Sequence, residues 1–209
     1  MKKLNISALF FIAVCLTALP LVLTACSDGS ESSGLPIKTI NYEMKNDGFV
    51  QFYTNNPEDY NVICFCPLEN TENLNEFEIA CNKKSGAVGF EYGLIFDCVK
   101  TGSNFTYIFV GITANGAYCI WERIPGGWND ITKQNYITSD KIITGTNKTN
   151  KIKIKRTDEN FSVYINDAFI NTYNKPRQNG LYGLFTFVGT EEYEDFPNTP
   201  VDVRFKVIK

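Results

Sequence analysis

Hydrophobic and polar residues alternate along most of this chain in short runs, and no segment keeps the spacing of apolar positions that an amphipathic helix needs. The runs are rich in Ile, Val, Phe and Tyr, and polar or turn-forming residues interrupt them roughly every ten residues. This spacing is typical of an all-β sandwich or barrel. The pattern predicts strands near residues 37–44, 48–54, 60–66, 73–82, 90–100, 105–113, 116–124, 150–156, 160–165, 168–173, 181–189 and 201–208.

Turn residues separate several of these strands and indicate that sequence neighbours pair antiparallel. We expect a hairpin at four places where the residues tolerate a positive φ: Lys83–Gly86, Ala114–Gly116, Pro125–Gly127 and Asn166-Asp167. Residues 133–149 are polar and weakly patterned, so we interpret them as a long connection across one edge of the sandwich. The pattern contains no internal repeat and no second domain.

The N-terminal segment has a different pattern. Two lysines precede an apolar run over residues 9–23, as in a secretion signal, and the Leu-Thr-Ala-Cys sequence ending at Cys26 resembles the lipobox of bacterial lipoproteins. The resemblance implies that residues 1–25 are a signal peptide and that acyl chains such as palmitate are attached to Cys26. An uncleaved transmembrane anchor is the alternative, although Pro20 fits processing better.

A lipid anchor implies an address and a first partner. We expect a membrane-attached protein of the bacterial cell envelope, held outside the cytoplasm. Residues 26–36 comprise the lipidated cysteine and a Ser- and Gly-rich stretch, which predicts a flexible tether. Residues 37–209 are then a single domain, long enough to bury an ample core.

Charge excludes one class of partner. The chain has 20 Lys and Arg against 23 Asp and Glu, and the net charge of −3 would become −5 without the two lysines of the signal segment. A mildly acidic protein is not expected to bind nucleic acid. One basic stripe is interpreted as the solvent face of a strand: Lys148, Lys151, Lys153, Lys155 and Arg156.

The chain contains no histidine, which excludes Ser-His-Asp and Cys-His catalysis and every His-containing metal site. Five cysteines follow Cys26, and their apolar neighbours favour small buried side chains: Cys64, Cys66, Cys81, Cys98 and Cys119. At least one of the five is unpaired, and a single disulfide remains open. Zinc is not expected, because the spacing matches no four-ligand motif.

An ordered series of strand signatures covers roughly two thirds of the chain that would remain after removal of the signal peptide. It includes Gly93-Leu94-Ile95-Phe96, Asn104–Phe109, Phe161–Asn166, Gly180–Phe185 and a closing Val203-Arg204-Phe205. The series resembles the concanavalin A-like lectin/glucanase superfamily, in particular its laminin-G-like and 3-keto-disaccharide-hydrolase-like domains. The resemblance implies a jelly-roll sandwich of two antiparallel sheets.

The same resemblance bears on catalysis. Superfamily members that hydrolyse β-glucans carry two glutamates flanking an aspartate on one strand, and no predicted strand here has that arrangement. The acidic cluster Glu191–Asp195 is interpreted as a solvated loop. Together with Asp202 it could donate oxygens to calcium, so calcium stays open, and otherwise no cofactor, no metal and no catalytic residue is expected.

Strand parity identifies candidate ligand-binding residues. On the strand 116–124, Trp121 and Arg123 share one face, whereas Tyr118, Ile120 and Ile124 share the face interpreted as core. On neighbouring strands, Tyr107 could flank Trp121 and Asp97 could add a carboxylate. The alternative is that these aromatic residues only cover the sandwich, and Trp128 is assigned to packing.

Three functions remain compatible with the sequence. We expect a non-catalytic, lectin-like domain that binds carbohydrate, such as a polysaccharide, or another envelope ligand. The first alternative is a structural lipoprotein that interacts with envelope or host proteins and binds no sugar. The second is a glycoside-processing enzyme, and it would require a pair of carboxylates that the predicted strands do not show.

Overall fold

The structure, a computed structural model, describes residues 37–38, 42–44, 48–56, 62–102, 104–189 and 199–208. The predicted signal peptide 1–25, Cys26, the tether 26–36 and the acidic cluster 191–195 lie outside the described residues. Every regular element in the described ranges is a strand: β1 (Ile37–Lys38), β2 (Tyr42–Met44), β3 (Val50–Thr54), β4 (Val62–Leu68), β5 (Glu76–Ser85), β6 (Tyr92–Thr101), β7 (Asn104–Ile112), β8 (Ala117–Ile124), β9 (Gly127–Asp130), β10 (Ile137–Thr138), β11 (Thr149–Arg156), β12 (Asn160–Ile165), β13 (Ala168–Asn174), β14 (Leu181–Val188) and β15 (Val201–Val207). Across these ranges, no helix has the length and apolar character needed to cross a bilayer.

The strands form two sheets. Sheet A has the order β1-β4-β14-β6-β7-β8-β10, with β9 also paired to β8, and sheet B has the order β13-β12-β11-β5-β15-β3-β2. Neighbouring strands are antiparallel, except that β1 pairs with β4 in parallel at the edge of sheet A. The predicted all-β sandwich is therefore confirmed.

Three of the four predicted hairpins are also confirmed. Residues 114–116 join β7 to β8, residues 125–126 join β8 to β9, and Asn166 and Asp167 join β12 to β13 with φ values of 50° and 67°. The hairpin predicted at Lys83–Gly86 is wrong. Strand β5 lies in sheet B and β6 in sheet A, so the chain crosses between the sheets at this point.

The core fills the space between the sheets because inward-facing positions on both sheets are apolar. Leu94 and Val110 from sheet A and Ile79, Ile152 and Val203 from sheet B are fully buried there. Several outward-facing positions of sheet B instead carry charged side chains, among them Glu78, Lys151 and Lys153. Removing such a large apolar area from water is the main stabilising contribution to the fold.

Sheet A is apolar on its outer face as well. A second cluster of buried apolar residues covers that face, with Phe65, Tyr107, Phe109, Cys119 and Phe185 among its members. They alternate along their strands with residues of the inter-sheet core, as the period of two requires. This second apolar layer positions the candidate site.

The long connection predicted at 133–149 is present and contains the short strand β10, which the sequence did not predict. The buried Asn150 side chain fixes it to the sandwich by accepting a hydrogen bond from the Ile143 backbone N–H at 2.8 Å and donating to the Ile143 carbonyl at 3.0 Å. The Asn166 side chain donates to the Lys141 carbonyl at 2.7 Å and to the Asn150 side chain. These bonds hold the connection against the edge of the sheets.

All five cysteines that follow Cys26 are buried, as their apolar neighbours indicated, and none of them forms a disulfide. Burial raises the pKa of the Cys66 thiol to about 11 and that of the Cys98 thiol to about 12. These thiols are therefore protonated at neutral pH and act as small apolar side chains.

Candidate functional site

A pocket of about 350 Å³ opens on the outer face of sheet A. Six of the nine residues that line it are aromatic: Phe109, Trp121, Trp128, Tyr136, Phe185 and Phe187. The remaining three are Ile63, Glu91 and Asn135. We call this cavity the aromatic pocket.

Strand register explains why the rings gather there. Phe109 on β7 lies directly opposite Trp121 on β8, and Trp128 follows on the paired strand β9. The rings of Phe109 and Trp128 meet edge to face at a centroid distance of 5.6 Å, and those of Phe109 and Phe185 at 4.8 Å. Such contacts hold large side chains in fixed orientations, so the pocket wall is preformed.

The absence of a side chain at Gly111 allows three neighbouring side chains to approach each other beneath the pocket. A Cβ atom at Gly111 on β7 would lie 2.9 Å from the Cβ of Glu91, 3.1 Å from the ring of Phe185 and 3.3 Å from the sulfur of Cys119. Those distances are too short for ordinary contact with the Glu91 Cβ. The three side chains therefore converge under the pocket only because residue 111 has no side chain.

Trp121 lies where strand parity predicted it, in the wall of the pocket and partly buried. Its indole Nε1 has no hydrogen-bond partner among the described residues. Tyr118 and Ile120, on the opposite face of β8, belong to the inter-sheet core as expected, but Ile124 at the strand end is 38% exposed.

Arg123 and Tyr107 share the face of Trp121 but do not line the pocket. The Arg123 guanidinium lies 5.0 Å from the ring centroid of Trp128, a cation–π contact. Tyr107 is only 2% exposed, because Trp128 packs edge to face on it and Phe65 stacks on it. Both residues therefore contact Trp128. Trp128, which was assigned to packing, also lines the pocket.

Asp97 lies elsewhere, between the two sheets. It takes a φ of 52° where the pairing of β6 with β7 shifts register, so its side chain leaves the alternation from which its position was predicted. Its carboxylate accepts hydrogen bonds from the Arg156 guanidinium and from the Gln178 backbone N–H at 3.2 Å. Burial raises the pKa of Asp97, and the Arg156 contact opposes that shift. Arg156, predicted to face solvent, is 3% exposed.

Glu91 is the pocket residue that the sequence did not identify. It precedes β6, is 8% exposed, and accepts a hydrogen bond from the Tyr136 hydroxyl at Oε1, with the Cys119 sulfur 3.9 Å from the same oxygen. Its Oε2 has no hydrogen-bond partner among the described residues. Burial raises the pKa of Glu91, although the Tyr136 hydrogen bond acts against this. The only sequence signal was parity with the outward positions of β6.

A short loop carries the polar side of the pocket. The Asp130 carboxylate accepts hydrogen bonds from the Thr132 backbone N–H at 2.9 Å, the Thr132 hydroxyl at 2.7 Å and the Asn135 backbone N–H at 2.7 Å. Partial burial raises the pKa of Asp130, but these hydrogen bonds outweigh it and the net pKa is lowered. Lys133 and Asn135 take φ values of 60° and 56°. Asp130 therefore fixes a constrained loop that presents Asn135 and Tyr136.

No group of three or more Cys, Asp or Glu residues that could hold a metal ion occurs within the ranges that the structure describes. Asp202, which the sequence offered as a calcium ligand, lies on β15 and is close to the Arg204 guanidinium at 3.4 Å. The other proposed ligands, in 191–195, lie outside the described residues. Calcium therefore stays a prediction.

Solved structures share this architecture. CBM66, a carbohydrate-binding module from Bacillus subtilis, has a TM-score of 0.57 at 13% identity over 82% of this chain and 96% of that chain. A Bacillus licheniformis β-glucanase has a TM-score of 0.58 at 12% identity over 87% and 88%. A β-1,3-1,4-glucanase (lichenase) from a mouse hindgut metagenome has a TM-score of 0.58 at 9% identity over 86% and 88%. No family model and no curated protein sequence matches this chain.

At such identities the likeness shows the fold alone. The chain has a concanavalin A-like jelly-roll fold, which confirms the architecture that the ordered strand signatures implied. Its structural neighbours include a binding module and hydrolases, and one fold serves both kinds of activity. Function must therefore be argued from the pocket.

Proposed function

We propose that this protein is a non-catalytic, cell-envelope lipoprotein whose aromatic pocket binds carbohydrate. The observation that carries the proposal is the pocket itself, in which two tryptophans, three phenylalanines and a tyrosine surround one carboxyl group and one carboxamide. Binding sites for small ligands combine such apolar walls with a few polar groups that fix orientation.

The chemistry of a sugar ring matches this wall. One face of a pyranose presents C–H groups, which pack on an indole or phenyl ring, while its hydroxyls need hydrogen-bond partners at the ring edge. Trp121 and Trp128 supply the flat surfaces, and Glu91, Asn135 and the Tyr136 hydroxyl supply the polar atoms of the lining. A polysaccharide segment or a terminal sugar is the ligand class that uses both.

A binding role, rather than hydrolysis, is favoured by the number of carboxyl groups. Glycoside hydrolysis uses two, about 5–5.5 Å apart in retaining enzymes and about 6.5–9.5 Å apart in inverting ones. Among the described residues that line the pocket, Glu91 is the only acidic one. One carboxyl group can orient a ligand but does not provide both an acid and a nucleophile or base.

Anchoring completes the proposal. Lipidation of Cys26 would attach the chain to a membrane outside the cytoplasm, and residues 26–36 would separate the sandwich from the bilayer surface. The test is metabolic labelling with a palmitate analogue, which wild-type protein should incorporate and Cys26→Ala should not. Equal labelling of the two would contradict the anchor without touching the binding proposal.

The binding test uses the purified full chain in lipid nanodiscs, because free detergent would compete for an apolar pocket. Both tryptophans of the chain line the pocket, so intrinsic fluorescence reports its occupancy directly. Titration with a panel of oligosaccharides and polysaccharides should find at least one ligand that shifts the emission. Calorimetry then gives the affinity.

The variant that tests the site is Trp121→Ala, which removes a wall of the pocket. We expect it to weaken binding by about tenfold, since a stacked ring contributes up to about 1.5 kcal/mol. Phe169→Ala is the matched control, because Phe169 is an aromatic residue of sheet B that is 57% exposed. Equal binding by Trp121→Ala and wild type, or no binding to any glycan by a well-folded chain, would contradict the proposal.

A further inference from the structure

Two residues that line the aromatic pocket each carry a buried polar atom without a hydrogen-bond partner among the described residues. One is an acceptor, Oε2 of Glu91, and the other is a donor, Nε1–H of Trp121. Both side chains line the pocket. An unsatisfied buried polar atom costs more free energy than an ordinary hydrogen bond contributes, so a ligand that pairs with both atoms is favoured over one that pairs with neither.

We propose, building on the carbohydrate-binding function, that the pocket selects sugars bearing an acylamino group. An amide carries one N–H donor and one carbonyl acceptor, the complement of the Glu91 carboxyl and the Trp121 indole N–H. The acyl methyl is apolar and would contact the rings of Phe109 and Phe185. A single substituent thus satisfies both polar atoms and the apolar wall.

The scarcity of polar groups supports this choice over an unsubstituted sugar. A plain hexose brings a hydroxyl on nearly every ring carbon, and each one buried against phenyl rings without a partner is unfavourable. The described lining offers only Glu91, Asn135, the Tyr136 hydroxyl and the indole N–H groups. Replacing one hydroxyl by an acylamino group gives the ligand an apolar methyl for the aromatic wall and an amide for the few polar groups of the lining.

A cationic group is the other chemistry that aromatic walls and a carboxyl group can bind. A positive charge beside the pocket wall disfavours such a cationic ligand. The Arg123 guanidinium already lies on Trp128, 5.0 Å from the ring centroid, so an ammonium ligand would be placed close to a like charge. A neutral amide is therefore a better occupant than an ammonium group.

Three trisaccharides with one backbone provide the test on the full chain in nanodiscs. Tri-N-acetylchitotriose, cellotriose and chitosan trimer are all β-1,4-linked and differ at carbon 2, which carries an acetamido group, a hydroxyl or an ammonium group. We expect the acetylated trimer to bind about tenfold or more tightly than cellotriose, because one buried methyl group and one satisfied buried hydrogen bond each contribute. Tightest binding of the chitosan trimer, or equal binding of all three, would overturn the proposal.

Variants at Trp121 and Glu91 test whether selectivity comes from the two proposed hydrogen bonds to the ligand or from apolar packing alone. Trp121→Phe keeps an aromatic ring but removes the N–H, and Glu91→Leu removes the carboxyl group, so both should lower the ratio of acetylated to unsubstituted affinity to near one. Glu91→Gln retains a carbonyl acceptor and should keep most of the ratio, while Phe169→Ala should keep all of it. An unchanged ratio in Trp121→Phe and Glu91→Leu would contradict the assignment of these atoms.

The outcomes also separate this inference from the function on which it rests. If a glycan without acylamino groups binds in a Trp121-dependent way and the acetylated trimer binds no better, the acylamino selectivity fails and carbohydrate binding stands. If no glycan binds a folded chain, both fail. Trp121-dependent preference for the acetylated trimer supports both.

Discussion

The carboxylate of Asp97 on sheet A is bound by the guanidinium of Arg156 on sheet B, and both side chains are almost completely buried between the sheets. Arg156 also donates to the Lys175 carbonyl at 2.7 Å, and its guanidinium lies 5.7 Å from the ring centroid of Phe161. A buried ion pair need not stabilise a fold more than apolar residues would, but each partner becomes costly once the other is removed.

We therefore expect strong coupling between these two residues. Asp97→Asn, which keeps a residue type that tolerates positive φ, and Arg156→Met should each lower the free energy of unfolding by about 3 kcal/mol, because each leaves a buried charge without its partner. The double variant should lose clearly less than the sum. Urea unfolding of all four proteins measures the coupling, and additive losses would contradict it.

The second prediction concerns the floor of the aromatic pocket. Gly111→Ala places a Cβ atom 2.9 Å from the Cβ of Glu91, so we expect a loss of about 1–3 kcal/mol in the free energy of unfolding and a shift in tryptophan emission. Gly127→Ala is the matched control, because no atom lies within 4 Å of its added Cβ. Equal stability of the two variants would show that the floor adjusts freely.

The third prediction is a pH dependence. Because burial raises the pKa of Glu91 above its ordinary 4.5, the folded state holds a proton that the unfolded chain has lost at pH values between the two pKa values. The native state binds more protons in that window, so this contribution to stability falls as pH rises through it. Glu91→Gln cannot titrate and should remove the slope.

The measurement is the urea midpoint of wild type and Glu91→Gln at a series of pH values from 4 upward. The raised pKa of Asp97 acts in the same direction in both proteins and cancels in the difference. Wild type should lose stability relative to the variant as pH increases above the ordinary carboxyl range. A constant difference across the series would mean that Glu91 titrates normally.

The fourth prediction tests the loop that Asp130 holds. Asp130→Ala removes three hydrogen bonds to Thr132 and Asn135 in an exposed loop, so we expect a small loss of stability, about 1 kcal/mol, but a clear loss of glycan affinity as Tyr136 moves. Asp140→Ala, at a largely exposed acid of the same connection, should leave affinity unchanged. Calorimetry on both variants decides, and equal affinities would assign the loop no role in binding.

Sequence periodicity predicted most of the sandwich because the long strands are regular. Parity placed Trp121 on the outer face of β8 and Tyr118 and Ile120 in the core, since nothing interrupts the alternation between residues 117 and 124. On β6 the same reasoning misplaced Asp97, because a register shift after Phe96 changes which face the following residues take. Such irregularities depend on the partner strand, which a single sequence does not show.

The structure differs from the sequence prediction at two other places, and long-range contacts explain both. Lys83–Gly86 contains good turn residues, but turn residues also serve a connection that crosses between sheets, and only the three-dimensional pairing distinguishes the two. Glu91 was overlooked because an acid at the start of a strand is usually solvated, whereas here the Tyr136 hydroxyl, from a loop 45 residues away in sequence, bonds to it. Most residues of the aromatic pocket come together through contacts between segments that are far apart in the sequence.

The five buried cysteines, none of which forms a disulfide, can report how often the folded protein opens. All five are shielded by burial, and burial also raises the thiol pKa of four of them, so these stay protonated: Cys66, Cys81, Cys98 and Cys119. An alkylating reagent can therefore modify them only while the sandwich is transiently open, and the labelling rate measures how often that happens without any denaturant. The described cysteines form no disulfide, so the native sandwich needs no oxidant in order to form.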